Sequence, residues 1–377
     1  MRNLTAFEFN NPINSRKSLF SRSNIGLDIH AAHRIQRAQA FHRRTREPIG
    51  GIVAFVFQAH FAGHFDHATV FQSQAGIATF FKRSEFSPLS REEILAFHFC
   101  FLLSTFCFCF SFVPIFYDTH AHLGFPDFQT DLSEVVRRAH DNGITKIVTI
   151  GTDFAGSARA IEIAEKFPDV YAAVGWHPTH VLEAPEDLRP ELRELARHPK
   201  VVAIGETGLD YYRKANDADF ESYKRRQAQI FRQQMEVAVE LGLNCIIHQR
   251  DSFEDTLAVM RPFAGKMQGV FHCFSENVDA MRRVFEIGSL VSFTGIVTFK
   301  NGANAREALA AAELGRFMLE TDCPFLAPAP YRGKRCEPAY VKEIAAVAAP
   351  VKNCSADELS AATCQTAHAF FPKLGRF

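Results

Sequence analysis

The sequence predicts a TIM (β/α)8 barrel over residues 115–377, preceded by an atypical extension over residues 1–114. Three observations carry that expectation. Eight short apolar runs alternate with helical patterns across about 260 residues, against roughly 250 for a typical barrel of this kind. No GxGxxG string follows any of the runs, which argues against four short dinucleotide-binding units. Six of the eight runs end in His, Glu or Asp, where the catalytic groups of such a barrel gather.

The first run, Ile115–Asp118, leads into Asp118-Thr119-His120-Ala121-His122. Histidines two apart on an extended chain face the same side, so both can reach one ion. A helix over Leu132–Asp141, a second strand at Ile144–Ile150 and a helix over Ala155–Lys166 follow. The third strand, Val170–Trp176, ends in Gly175-Trp176-His177-Pro178 and precedes a helix at Glu186–Ala196. The fourth, Val201–Gly205, continues into Glu206-Thr207-Gly208-Leu209-Asp210 before the long helix Phe220–Leu241. The fifth, Asn244–His248, closes on His248-Gln249-Arg250-Asp251, and a helix spans Phe253–Phe263. The sixth, Gly269–His272, closes on His272-Cys273-Phe274-Ser275 before a helix at Asp279–Glu286. The seventh, Leu290–Phe293, leads to a helix at Arg306–Ala312. The eighth, Phe317–Thr321, closes on Glu320-Thr321-Asp322-Cys323-Pro324, and the helices Pro338–Ala349 and Ala356–Phe371 finish the chain.

A lone histidine at a strand end is ordinarily a structural residue with a hydrogen-bond partner. Six such ends in one barrel are different. Taking these groups out of water costs energy unless something compensates them, and a divalent ion compensates carboxylates and imidazoles together. A nitrogen and oxygen set without cysteine suits Zn2+, Mn2+, Co2+ or Mg2+ rather than a structural thiolate zinc site. Cys245 and Cys273 flank candidate ligands, but no base partners them, and both read as small buried hydrophobes.

Composition sets the outer limits. The 42 Lys+Arg balance 42 Asp+Glu, so bulk charge gives no reason to expect nucleic-acid binding. Nine cysteines without a paired CxxC pattern or a secretory signal favour free thiols and a cytoplasmic setting. The balance conceals two unlike parts. Residues 1–115 hold 19 of the 38 Phe and carry 12 Lys+Arg against seven Asp+Glu, leaving 30 against 35 in the remainder. The charge-free run from Ile94 to Phe116, preceded by Lys82, Arg83 and Arg91, is long enough to span a bilayer, which takes ~20 apolar residues. The odd composition favours a different origin: upstream sequence translated from an early start. His60, His64 and His67 sit at helical spacing with only Asp66 beside them, an incidental grouping.

From Phe116 onward the strings FYDTHAHL, GWHP, AIGETGLDYY, IIHQRD, GVFHCFS, SFTGIVTFKN, LETDCPFLAP and PYRGKRCEPAYV resemble the TatD family of metal-dependent deoxyribonucleases. The resemblance covers about residues 115–377 in the family's order and spacing. It implies a TIM-barrel hydrolase that cleaves DNA phosphodiesters with bound divalent metals, often as a 3′→5′ exonuclease favouring single strands. By the resemblance, His120 and His122 would hold a first metal with Glu206 and Asp322. Glu206 would bridge to a second, which His248 and His272 complete. Asp322 is the candidate general base. His177 either contacts the scissile phosphate or leaving oxygen, or hydrogen-bonds a ligand; Glu320 is expected to support one. Gln249, Glu276 and Cys336 depart from the family's usual residues, and none is an expected ligand.

The expected partner is therefore DNA, as single-stranded 3′ ends, with no stable protein partner, and a membrane only if residues 94–116 cross one. Tyr331, Arg332, Lys334 and Arg335, in the loop after the last strand, offer cations for phosphates and a ring for a base; the alternative is an ordinary solvated loop. Phe125 and Phe128 suit base stacking or plugging of the barrel mouth equally. Two other readings compete: another metallohydrolase on the same barrel (an aminoacyl-tRNA deacylase or amidohydrolase-type enzyme), and a non-catalytic membrane-tethered scaffold. Glu206 stands where many amidohydrolases carry a modified lysine. A deacylase keeping the same ligands passes that test.

Overall fold

The computed structural model describes residues 114–212 and 220–375. Of the amino-terminal extension and the run from Ile94 to Phe116, only residues 114–116 fall among these; His60, His64 and His67 lie outside the described residues. Among the described residues no helix is long and apolar enough to cross a membrane.

Eight parallel strands pair in chain order: β1 (Phe116–Ala121), β2 (Ile144–Ile150), β3 (Val170–Val174), β4 (Val201–Asp210), β5 (Asn244–Arg250), β6 (Gly269–Phe271), β7 (Leu290–Phe293) and β8 (Phe317–Leu319). Their near-continuous apolar character follows from burial on both faces, as helices cover the outside and side chains fill the inside; every residue of β4 is buried. Closure comes just beyond β8, where Ala121 bridges Cys323. There the His122 amide donates to the Cys323 carbonyl at 2.8 Å and the Asp322 amide to the His120 carbonyl at 2.9 Å. Buried Asp118 adds a second tie, accepting from the Thr321 amide at 2.9 Å and the Thr321 hydroxyl at 2.5 Å.

Several strand ends differ from the sequence reading. β3, β6 and β8 stop early, at Val174, Phe271 and Leu319. β4 and β5 run on because they keep pairing as far as Asp210↔Arg250. His177, His272, Glu320 and Asp322 consequently sit on loops, whereas Glu206 sits within a strand. A glycine is required here: a Cβ at Gly208, whose φ is +141°, would lie 2.0 Å from the His248 carbonyl oxygen.

The helices among the described residues are α1 (Leu132–Asp141), α2 (Phe154–Lys166), α3 (Arg189–Ala196), α4 (Phe220–Leu241), α5 (Phe253–Met260), α6 (Val278–Glu286), α7 (Ala303–Ala311), α8 (Val341–Val351) and α9 (Ala356–Phe370). Side-chain caps fix three starts: Asp153 accepts from the Gly156 amide, Asn277 from the Ala280 amide, and Ser355 and Glu358 form a reciprocal capping box. α3 begins at Arg189 rather than Glu186, with proline in its first turn, where a missing N–H costs nothing. α5 ends at Met260 and continues as a 3-10 turn over Arg261–Phe263, and α8 is preceded by one at Pro338–Tyr340.

Two apolar layers result. One lies between strands and helices; the other fills the lower barrel, where Tyr117, Val148, Val202, Ile246 and Met318 meet Phe370, Phe371 and Leu374 at the end of the chain. Asn244 donates to the Phe370 carbonyl at 2.6 Å, and the Lys373 ammonium to the Ala196 carbonyl at 3.2 Å. The amino-terminal end of the barrel is thus stoppered, and the opposite end carries the polar loops.

Candidate active site

At the carboxyl ends of the strands two groups of donors share one carboxylate. Nε2 of His120 and Nε2 of His122 lie 3.2 Å apart. Around them, Glu206 Oε2 is 3.5 Å from His120 and 3.6 Å from His122, and Asp322 Oδ1 is 3.7 and 3.3 Å away respectively. The other Glu206 oxygen, Oε1, faces a second set: His248 Nδ1 at 2.7 Å, His272 Nε2 at 2.8 Å and His177 Nε2 at 3.3 Å. The His120 and His272 rings stack at 4.1 Å, joining the two sets.

The local chain explains how these atoms meet. His120 is the last residue but one of β1 and His122 lies just beyond the strand; Glu206 rises from the middle of β4; His248 lies near the end of β5. Asp322 and Cys273 adopt the left-handed conformation, with φ of 58° and 50°, a cost that non-glycine residues pay mainly at constrained sites. Glu320 is buried, accepts from the Cys273 amide at 2.6 Å and lies 3.7 Å from His272 Nδ1.

Electrostatics follow from that crowding. Burial acts to raise the Glu206 carboxyl, but His272, His177 and His120 outweigh it and hold the group well below the usual carboxylate range. Asp322 is also lowered: burial opposes, and His122 and His120 prevail. His272 is raised well above the ordinary imidazole value because the Glu206 and Glu320 carboxylates overcome burial. Burial dominates at His177, which falls to about 4, and at His120, where His272 adds to it. Carboxylates and imidazoles thus stabilise one another only in part.

Among the described residues three groupings of donor atoms lie within 4.8 Å of one another: His120, His122 and Asp322; His120, Glu206 and His272; His177, Glu206 and His248. The far nitrogens, Nδ1 of His120 and of His122, have no protein partner among the described residues, so these rings are engaged only through their inward Nε2 atoms. Converging imidazole and carboxylate lone pairs of this kind fit a divalent cation. All six expected ligands are brought together, and His177, expected beside the phosphate or behind a ligand, lies in the second set itself.

Sequence reasoning gave no role to Asp210. It is buried and sits 3.0 Å from His248 Nε2, so His248 is held between two carboxylates. Burial alone would lower that imidazole; Asp210 and Glu206 raise it. α4 in turn grips Asp210. Gln227 Oε1 accepts from the Asp210 amide at 2.9 Å and its amide donates to the Asp210 carbonyl at 3.0 Å. Gln234 holds Trp176, next to His177, in the same two-handed way at 2.8 and 2.9 Å. The available signal was the pair of glutamines seven apart, hence on one helix face.

A cavity of about 510 Å3 opens over both sets, lined among others by Phe125, His122, His177, Asp210, His248, Arg250, His272 and Phe325. None of Tyr331, Arg332, Lys334 and Arg335 lines it. Tyr331 stacks on Tyr340 at 4.3 Å, and Arg332 lies 3.7 Å above the Phe299 ring. Arg335 donates to both oxygens of Asp131, at 2.8 and 2.7 Å. Phe128 is fully buried, whereas Phe125 stacks on His122 at 4.6 Å. Cys245 is fully buried and its thiol pushed up by burial.

The family described as TatD related DNase matches residues 117–372, well over half of the chain. This chain belongs to the TatD family. It is therefore a metal-dependent hydrolase acting on ester bonds. An uncharacterized metal-dependent hydrolase of Bacillus subtilis, YabD, is 38% identical over 68% of this chain and 98% of its own length. A 3′-5′ ssDNA/RNA exonuclease TatD of Erwinia tasmaniensis is 30% identical over 68% of this chain and 99% of its own. Among solved structures, the TatD homologue YJJV of Escherichia coli superposes with a TM-score of 0.64 at 27% identity, covering 69% of this chain and 99% of that one.

Proposed function

We propose that this TatD-family hydrolase removes nucleotides from the 3′ ends of single-stranded DNA, using two divalent ions (Mg, Mn, Zn or Co). One observation carries the reading: Glu206 presents one oxygen to each of two donor sets. In it His120, His122, Glu206 and Asp322 hold one ion, and Glu206, His248 and His272 the other. When bound, such ions lower the pKa of a coordinated water and neutralise the oxygens of an in-line displacement.

The chain's own groups do the rest. Asp322, kept ionised by His122 and His120, accepts the proton of the attacking water. His177, whose ring stays neutral at physiological pH, either completes the second set or donates to the phosphate or the leaving oxygen. Asp210 orients His248 from behind. The Erwinia relative's name supports the choice of substrate and polarity, and a cavity roofing both sets has room for a strand end.

The test is a substrate panel on the full chain supplied with Mg2+, Mn2+ or Zn2+. A 5′-labelled single strand with a free 3′ end should be shortened to a ladder, and a strand blocked at that end should persist. Hydrolysis confined to aminoacyl esters or amides would instead favour another metallohydrolase on this barrel.

A further inference from the structure

Among the described residues four large hydrophobic side chains are exposed; one of them, Phe325 at 52%, belongs to the cavity, and another, Tyr212 at 60%, lies under a residue that lines it. Phe325 lines it directly. Its ring meets Phe125 edge to face at 6.1 Å, and Phe125 in turn stacks on His122. The wall beside the first donor set is therefore aromatic, with a ring face left to solvent. Core packing does not account for a phenylalanine half in water.

Near the second set the chemistry changes. Arg250, two residues after His248 on β5, also lines the cavity. Its guanidinium lies 3.7 Å over the Tyr212 ring, which braces a side chain otherwise costly to order. No carboxylate among the described residues lies within ion-pair distance of it. A cation in that position is available to a phosphate.

We propose that Phe325, backed by Phe125, stacks on the unpaired terminal base of the substrate, while Arg250, braced on Tyr212, takes a backbone phosphate. The inference rests on the nuclease reading above and adds the residues that choose the strand end. It accounts for a single-strand preference physically. The terminal base of a duplex is held in place by its pairing partner and its stacked neighbour, whereas an unpaired base is free to turn its face onto the ring, so the grip favours a single strand and tolerates any sequence. It also replaces the loop cations Arg332, Lys334 and Arg335, none of which lines the cavity.

The experiment compares two single-stranded oligonucleotides, identical except that one has an abasic 3′-terminal nucleotide. With full-length protein and Mn2+, kcat/KM should favour the base-bearing end by about tenfold, the usual scale of base–aromatic stacking. In Phe325→Ala that ratio should collapse to about one, while Phe325→Trp should retain it, separating loss of the ring face from loss of the fold. Arg250→Gln should raise KM on both strands and reduce the salt dependence of binding by about one phosphate contact. An absent preference in the wild type, or equal losses on both strands in Phe325→Ala, would overturn the proposal. Failure of the wild type to cut either strand with any metal would overturn the nuclease reading itself.

Discussion

His248 is held from both sides, Nδ1 by Glu206 and Nε2 by Asp210. A carboxylate behind a ligand imidazole fixes its orientation and raises its basicity. Replacing Asp210 by Asn keeps the shape and removes the charge. We expect metal affinity to fall about 10- to 100-fold, measured by equilibrium dialysis, with kcat falling alongside; an unchanged affinity would mean that Asp210 serves only the backbone. The six expected ligands were legible because each lies in a short polar string after an apolar run. Asp210 closes such a string too, but a carboxylate acting through another side chain leaves no mark of its own. Phe325 was equally silent, since the apolar second half of LETDCPFLAP does not show which ring is left in water.

At the level of elements, α4 uses buried glutamines to grip the backbone at the end of β4 and just beyond β3. Gln227→Leu would leave the Asp210 amide and carbonyl without those partners, at about 1–3 kcal/mol. Urea unfolding should report that loss, and kcat should fall because Asp210 no longer holds His248. The loop after β8 is fixed by a different device. Asp131 is held down to about 2, chiefly by its hydrogen bonds from Arg335. A depressed carboxyl contributes stability that is complete above its ordinary value of 3.8 and lost as pH falls through about 2. Arg335→Ala should therefore cost roughly 1 kcal/mol above pH ~4 and progressively less below it. If Arg335 instead contacted substrate, the variant would change KM and its salt dependence rather than this acid profile. The sequence showed three cations in one loop but not the aspartate twenty decades of residue numbers away, because an ion pair between distant segments has no sequence period.

Across the whole molecule, the two ends of the barrel divide the labour. The residues Phe370, Phe371 and Leu374 stopper one mouth, and among the described residues the polar cavity lies at the other. The eight-strand alternation was readable because parallel strands buried on both faces are apolar throughout; their ends were not, since termination depends on how far a neighbour keeps pairing. A chain of residues 115–377 should fold by itself, giving cooperative unfolding and metal uptake equal to the full protein, and aggregation of that fragment would contradict this. The claim on which all else depends is that one carboxylate, Glu206, joins two metal sites. Elemental analysis after equilibration with Mn2+ tests it most directly. Wild type should bind two ions per chain, and Glu206→Ala should bind fewer and lose hydrolysis; an undiminished stoichiometry in the variant would contradict the shared site.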